Sequence, residues 1–168
     1  MEDTFHMSDE PLAAVVLRQI TSKDSMDIAA GVRPSTGWAR DFPQPGDVAA
    51  TRYTSPRLEE ESHPWSASWL IIADDVVVGT IGFKGEPVAN ELEVGYGVAP
   101  SARRRGVASE ALRQLLDSVA GHGYLIKAET AAWNVGSQHV VQKLGFTEVG
   151  RRRSEEDGDL IIWRRTLS

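Results

Sequence analysis

The chain has 168 residues, enough for one domain with a substantial core, and is 41% apolar and 25% charged, as folded rather than disordered sequences are. It contains no cysteine, which excludes disulfides, thiol nucleophiles and thiolate metal sites. A formal net charge of −6 sits poorly with a phosphate-backbone partner and suits a cationic amine, although such a charge also serves simple solubility. The longest apolar run near the start, Leu12 to Leu17, is too short to span a bilayer, and acidic residues precede it where a signal peptide carries basic ones. The expectation is a soluble, cytoplasmic protein that binds neither membrane nor nucleic acid.

In chain order, residues 1–10 are polar and acidic and are expected to form a flexible tail to a single domain spanning 1–168. A β-branched run predicts a strand over Ala13 to Ile20, and Thr21 or Ser22 can then cap a helix ending near Gly31. From Gly31 to Pro64 the composition shifts to Pro, Gly, Ser and Trp, with one helical stretch around Val48 to Tyr53. Ser66 to Ala73 and Val76 to Phe83 flank Asp74-Asp75 as a hairpin. In the strand Glu91 to Val98 the period of two sets Leu92, Val94, Tyr96 and Val98 on one face and Glu91, Glu93, Gly95 and Gly97 on the other.

Arg105 to Ala120 carries the clearest helical stripe: Ala108, Ala111, Leu112, Leu115, Leu116 and Val119, stopped by Gly121 and Gly123. Leu125 to Ala131 follows as a strand, and Val135 to Leu144 as a helix ended by Gly145. Phe146 to Arg153 and Leu160 to Leu167 close the chain as strands joined through Asp157-Gly158. Arg151, Arg152 and Arg153 are expected to face Glu155, Glu156 and Asp157 as a solvated hairpin end. The alternation of strands and helices predicts an α/β (α+β) architecture with a mixed sheet covered by helices.

The informative stretch is Arg103-Arg104-Arg105-Gly106-Val107-Ala108, between a strand and the long helix. The first N–H groups of a helix lack internal partners and carry the positive end of its dipole, which suits a phosphate. Gly106 and the small Ala108 let an anion approach the backbone, and Arg103 and Arg104 add charge. Basic residues here oppose the dipole, so they are a poor choice for structure alone. Other phosphate loops do not fit. No Gly-Lys-Ser/Thr run exists, and Gly95-Tyr96-Gly97 meets Pro100 where a third glycine would stand.

The run Leu92 to Pro100 followed by Arg103-x-x-Gly106-x-Ala108 resembles the coenzyme A motif of the GNAT acetyltransferases, Gln/Arg-x-x-Gly-x-Gly/Ala at a strand-to-helix junction. Asn134-x-x-Ser137 followed by Lys143-Leu144-Gly145-Phe146 is similar to a second element of that family. The likeness runs from about Trp69 to Leu167 and is nearest the branch of ribosomal-protein N-terminal acetyltransferases. It implies a mixed, mostly antiparallel sheet of six to seven strands with a central splay, flanked by about four helices. It also implies an acyl-coenzyme A-dependent N-acyltransferase that uses acetyl-coenzyme A as co-substrate and needs no metal. The same fold could instead serve as a non-catalytic acyl-coenzyme A sensor.

Carried over by resemblance, Val98 offers its backbone amide to the thioester carbonyl. Arg103, Arg104, Arg105, Gly106, Val107, Ala108 and Ser109 hold the pyrophosphate, and Asn134 contacts the coenzyme arm or simply shapes a turn. An alkylamine with a pKa of about 10.4 must lose a proton before attack, and Glu93 is the candidate base. It competes with Glu91, and with a plain role as a solvated strand glutamate or a substrate-binding charge. The family's usual tyrosine acid is replaced by Val141. Ser137 matches the serine given that role in the ribosomal-protein branch, and the alternative is a helix cap.

Trp38, Phe42, Trp65 and Trp133 are either core or acceptor-pocket residues. His6, His63, His122 and His139 have no metal-ligand spacing. With neither Cys nor a Gly-x-Ser-x-Gly elbow, the reaction is expected to proceed by direct attack without an acyl-enzyme. RNA binding through the arginine clusters is disfavoured by net acidity. The commonest association for such a domain is a homodimer.

Overall fold

A computed structural model describes residues 13–34, 36–54, 65 and 67–167. The expected tail, His6 and His63 lie outside them. Seven strands form one sheet: β1 (Val15–Gln19), β2 (Ser68–Ala73), β3 (Val76–Phe83), β4 (Glu91–Val98), β5 (Leu125–Ala131), β6 (Thr147–Ser154) and β7 (Gly158–Thr166), in the order β1-β2-β3-β4-β5-β7-β6. Every neighbouring pair is antiparallel except β4 with β5. Four α-helices accompany it among the described residues: α1 (Ser22–Ala29), α2 (Pro45–Thr54), α3 (Val107–Ser118) and α4 (Val135–Lys143). Both the mixed, mostly antiparallel sheet and the helix number match the sequence expectation.

Local chemistry accounts for most boundaries. Thr21 caps α1 in a capping box with Asp24. Asp74 and Asp75 both adopt positive φ, 48° and 67°, as a two-residue hairpin turn requires. Pro45 opens α2, where its missing N–H costs nothing, so that helix begins three residues before the expected Val48.

The larger difference is at α3. Its expected start at Arg105 is corrected to Val107, because Arg104 and Gly106 both sit in the left-handed region, with φ of 63° and 72°. The arginine run is therefore a turn that leads into the helix. Its far end also stops early, at Ser118 rather than Ala120.

The principal core lies between the sheet and α3, where Ala111, Leu112, Leu115 and Leu116 meet Leu92, Val94, Val98 and Ile126. A smaller cluster joins Ile28 of α1 and Phe42 to Leu70, Val77 and Ala99. Phe42 is thus a core residue, and Trp38 packs on it edge to face, with centroids 5.0 Å apart.

The arginines of β6 depart from expectation. Arg152 pairs with Glu129 of β5 and Arg151 with Glu148, so their partners are strand carboxylates rather than the turn acids.

Candidate active site

β4 and β5 are hydrogen-bonded over only part of their length. Their parallel register runs from Glu91↔Leu125 to Val94↔Ala128 and stops. Beyond it β4 continues with β3 as far as Val98↔Gly79, while β5 continues with β7 as far as Ala131↔Leu160. The two strands part, and a wedge opens in the middle of the sheet.

The ladder phase decides what borders that wedge. Lys84 N–H donates to the Glu93 carbonyl at 2.7 Å and Ala99 N–H to the Val78 carbonyl at 2.7 Å, so the odd-numbered residues of β4 bond to β3. The N–H groups of Tyr96 and Val98 consequently point toward the gap. The Val98 carbonyl accepts from Arg103 Nε at 3.0 Å. Close approach of β3 and β4 depends on Gly79, where a Cβ would fall on the Gly97 carbonyl oxygen.

The wedge opens into a cleft of about 560 Å³. One wall is Tyr96, Gly97 and Val98 of β4. The floor is the turn and first residues of α3 (Arg103, Arg104, Gly106, Val107, Ala108 and Ser109), and the far wall is the start of α4 (Asn134, Gly136, Ser137, His139 and Val140). The first intrahelical bond of α3 runs from Glu110 N–H to the Gly106 carbonyl, at 3.0 Å. The amides of Val107, Ala108 and Ser109 therefore have no acceptor within the helix and head into the cleft region as a partial positive charge.

Of the residues singled out in the sequence, Val98, Arg103, Arg104, Gly106, Val107, Ala108, Ser109, Asn134 and Ser137 come together here. Arg105 does not line this cleft. Its guanidinium turns to Asp74 in the β2–β3 turn and borders a separate depression of about 370 Å³ with Arg113 and Lys143. Asn134 is the N-cap of α4, accepting from Ser137 N–H at 3.1 Å. That leaves the Ser137 hydroxyl free of capping, and it lies 2.8 Å from the Tyr96 hydroxyl. Burial pushes the Tyr96 phenol above its ordinary value, with the Ser137 hydrogen bond opposing, so it stays protonated.

Glu93 lies on the opposite face of β4, within the closed part of the ladder, paired to Lys84 at 3.0 Å and to Lys127 at 3.4 Å. Glu91 is paired with Arg164. Val141, where the family tyrosine would stand, is fully buried.

Tyr96 and His139 are cleft residues that the sequence reading did not select. Tyr96 shares one face of β4 with Leu92, Val94 and Val98, and the splay opens that face at Tyr96. His139 sits one helical turn beyond Gly136, and both line the cleft from α4. Trp133 is 78% exposed beside Asn134, and Trp65 packs against Tyr124, so neither builds the cleft wall. Among the described residues, no cluster of acidic and histidine side chains could hold a metal ion, and no helix is long and apolar enough to cross a membrane.

The model of the acetyltransferase (GNAT) domain matches residues 14–147. A curated relative, an uncharacterized N-acetyltransferase YjdG of Bacillus subtilis, is 36% identical over 84 residues. That match spans 47% of this chain and 50% of the relative, so the chain aligns with about half of that protein's length. A RimL ribosomal L7/L12 α-N-protein acetyltransferase solved with coenzyme A superposes with a TM-score of 0.70 at 18% identity, covering 94% of this chain and 97% of the other. RimJ of Mycobacterium smegmatis superposes at 0.64 and 21% identity, covering 93% of this chain and 83% of its own. At these identities the structural likeness is one of fold. With a family match over most of its length, the chain belongs to the acetyltransferase (GNAT) domain family.

Proposed function

We propose that this protein transfers an acetyl group from acetyl-coenzyme A to a primary amine, on a peptide N-terminus or a small molecule, by direct attack with both substrates bound. The observation that carries the reading is the splay itself. It presents two β4 amides, of Tyr96 and Val98, along an edge that continues into the unpartnered amides of α3. An extended pantetheine arm suits such an edge as an added strand does, and a diphosphate suits the helix start with Arg103 and Arg104 beside it.

Roles follow from position. A β4 amide, that of Val98, polarises the thioester carbonyl and stabilises the oxyanion that forms on attack. Ser137 directs its O–H to the departing sulfur when Tyr96 is the donor of the 2.8 Å bond between the two hydroxyls. Asn134 holds the start of α4 so that this hydroxyl keeps its aim. Glu93, at roughly 3.3 Å per residue, stands about 16 Å along the strand from Val98, so it reaches an amine only through water.

The names of relatives support the amine acceptor. RimL is described as acting on a ribosomal protein, and a fold neighbour at 15% identity is a spermidine N-acetyltransferase. The test is thioester consumption with acetyl-coenzyme A and a panel of small amines and peptides. Turnover on any amine is the expected result. Tight acetyl-coenzyme A binding with no turnover on any acceptor would favour a non-catalytic acyl-coenzyme A-binding module, a reading that buried Val141 keeps in play.

A further inference from the structure

We infer that Asp47 is the acceptor-side catalytic carboxylate, which binds a primary ammonium at the β4 edge of the splay and takes its proton. This inference rests on the acyl-transfer reading above.

Asp47 lies in the first turn of α2, over the face of β4 opposite Tyr96, and is 4% exposed. Its Oδ1 accepts from the Thr80 hydroxyl at 2.6 Å and its Oδ2 from the Gln44 N–H at 2.9 Å. Thr80 is the cross-strand partner of Gly97. Gly97 stands between the two amides that border the wedge, and it lines the cleft. A Cβ built on Gly97 would find one described atom within 4 Å, Asp47 Oδ1 at 3.4 Å. No side chain therefore separates this carboxylate from the strand where the acyl group is polarised.

Two structural roles, a helix cap and a bond to Thr80, explain why an oxygen acceptor is wanted at this position. They do not require a charged acid in a site that dry, where Asn could accept from the Gln44 N–H through its oxygen and donate its Nδ2 to the Thr80 hydroxyl. Burial pushes the Asp47 carboxyl above the ordinary carboxylate range, against the Thr80 and Gln44 hydrogen bonds that pull it down. A base of raised pKa is better matched to an ammonium than an ordinary carboxylate is.

Among the described residues, Lys84 pairs with Glu93, Lys23 with Asp27, Asp24 with Arg18, Asp41 with Ser101, and Arg52 with the Ala29 carbonyl. An incoming ammonium would be the counter-charge that Asp47 lacks among the described residues. The ammonium gives one proton to Asp47, and the freed nitrogen lone pair forms the C–N bond. The C–S bond then breaks with its electrons on sulfur, which takes up the second nitrogen proton. Amide, thiol and one proton on Asp47 result, and that proton exchanges to water.

The experiment is Asp47→Asn, measured for acetyl-coenzyme A affinity, thermal midpoint and amine kcat/KM from about pH 6 to 10, a range that spans the free amine's own titration. The expected result is unchanged cofactor affinity with kcat/KM lowered on the order of 100-fold near neutrality, recovering as pH rises and the amine deprotonates unaided. Gly97→Ala, which keeps both Asp47 hydrogen bonds and puts a methyl in front of the carboxylate, should lower amine kcat/KM with little change in thermal midpoint. An active wild-type enzyme whose two variants keep its kcat/KM and pH profile overturns the Asp47 assignment alone. A wild-type protein that binds acetyl-coenzyme A and acetylates no amine overturns the transfer reading and this one together.

Discussion

The Tyr96 phenol stands 2.8 Å from the Ser137 hydroxyl, a hydrogen bond that ties the strand on one side of the splay to the helix that follows the strand on the other. Because Asn134 supplies the cap of α4, Ser137 spends its backbone N–H and not its hydroxyl on the helix start. A hydroxyl pair facing a cleft is available for chemistry in a way that a capping serine is not.

Removing either member should slow turnover without removing the cofactor. Ser137→Ala and Tyr96→Phe each delete one part-buried hydrogen bond worth about 1–2 kcal/mol, or roughly 5- to 30-fold in rate. Steady-state kcat beside the acetyl-coenzyme A dissociation constant checks this. An additive double variant would show that the two hydroxyls act independently rather than as a pair.

Gly106→Trp should weaken acetyl-coenzyme A binding by on the order of 100-fold, the loss of one or two charge-assisted hydrogen bonds. The φ of 72° adds strain for any side chain of about 1–2 kcal/mol, so the thermal midpoint should fall modestly too. Calorimetric titration separates the two effects, and unchanged affinity would discard the role of the loop.

Gly79→Ala is predicted to destabilise the domain by about 1–3 kcal/mol, since the added methyl meets the Gly97 carbonyl and the two strands cannot both keep their places. Denaturant unfolding measures the loss. Gly46, with open space around its Cβ position, is the control that should tolerate Ala with a change of less than about 0.5 kcal/mol.

Acid stability should depend on Glu129. Arg152 holds its carboxyl at about 2, with burial opposing and Lys127 assisting. A carboxyl lowered in the folded state contributes stability that is present above its unfolded pKa, about 4.5, and is lost as pH falls toward 2. Wild-type protein should therefore lose stability more steeply than Glu129→Gln between about pH 4.5 and 2. Denaturation midpoints across that window test the sign, and parallel curves for the two proteins would remove Glu129 as the source.

The turn that opens α3 and the strand faces were legible because each depends on neighbours in sequence. The period of two in Leu92 to Val98 sorts its side chains, and a glycine before an apolar helical stripe marks a helix start. The start of α3 was misplaced by two residues because left-handed φ at Arg104 has no signature in an arginine. The destination of Arg105 was unreadable for a related reason, since Asp74 lies 31 residues earlier in the chain.

What the sequence by itself determined is the order of strands and helices, the apolar faces, and the motif that marks the family, all products of short-range periodicity and turn chemistry. Tertiary structure alone decided where β4 and β5 part company, that Tyr96 meets Ser137 across the opening, and that Asp47 stands against Gly97. Those relations join residues 34 to 50 positions apart, and only the register of the sheet and the seating of α2 and α4 upon it bring such distant groups together.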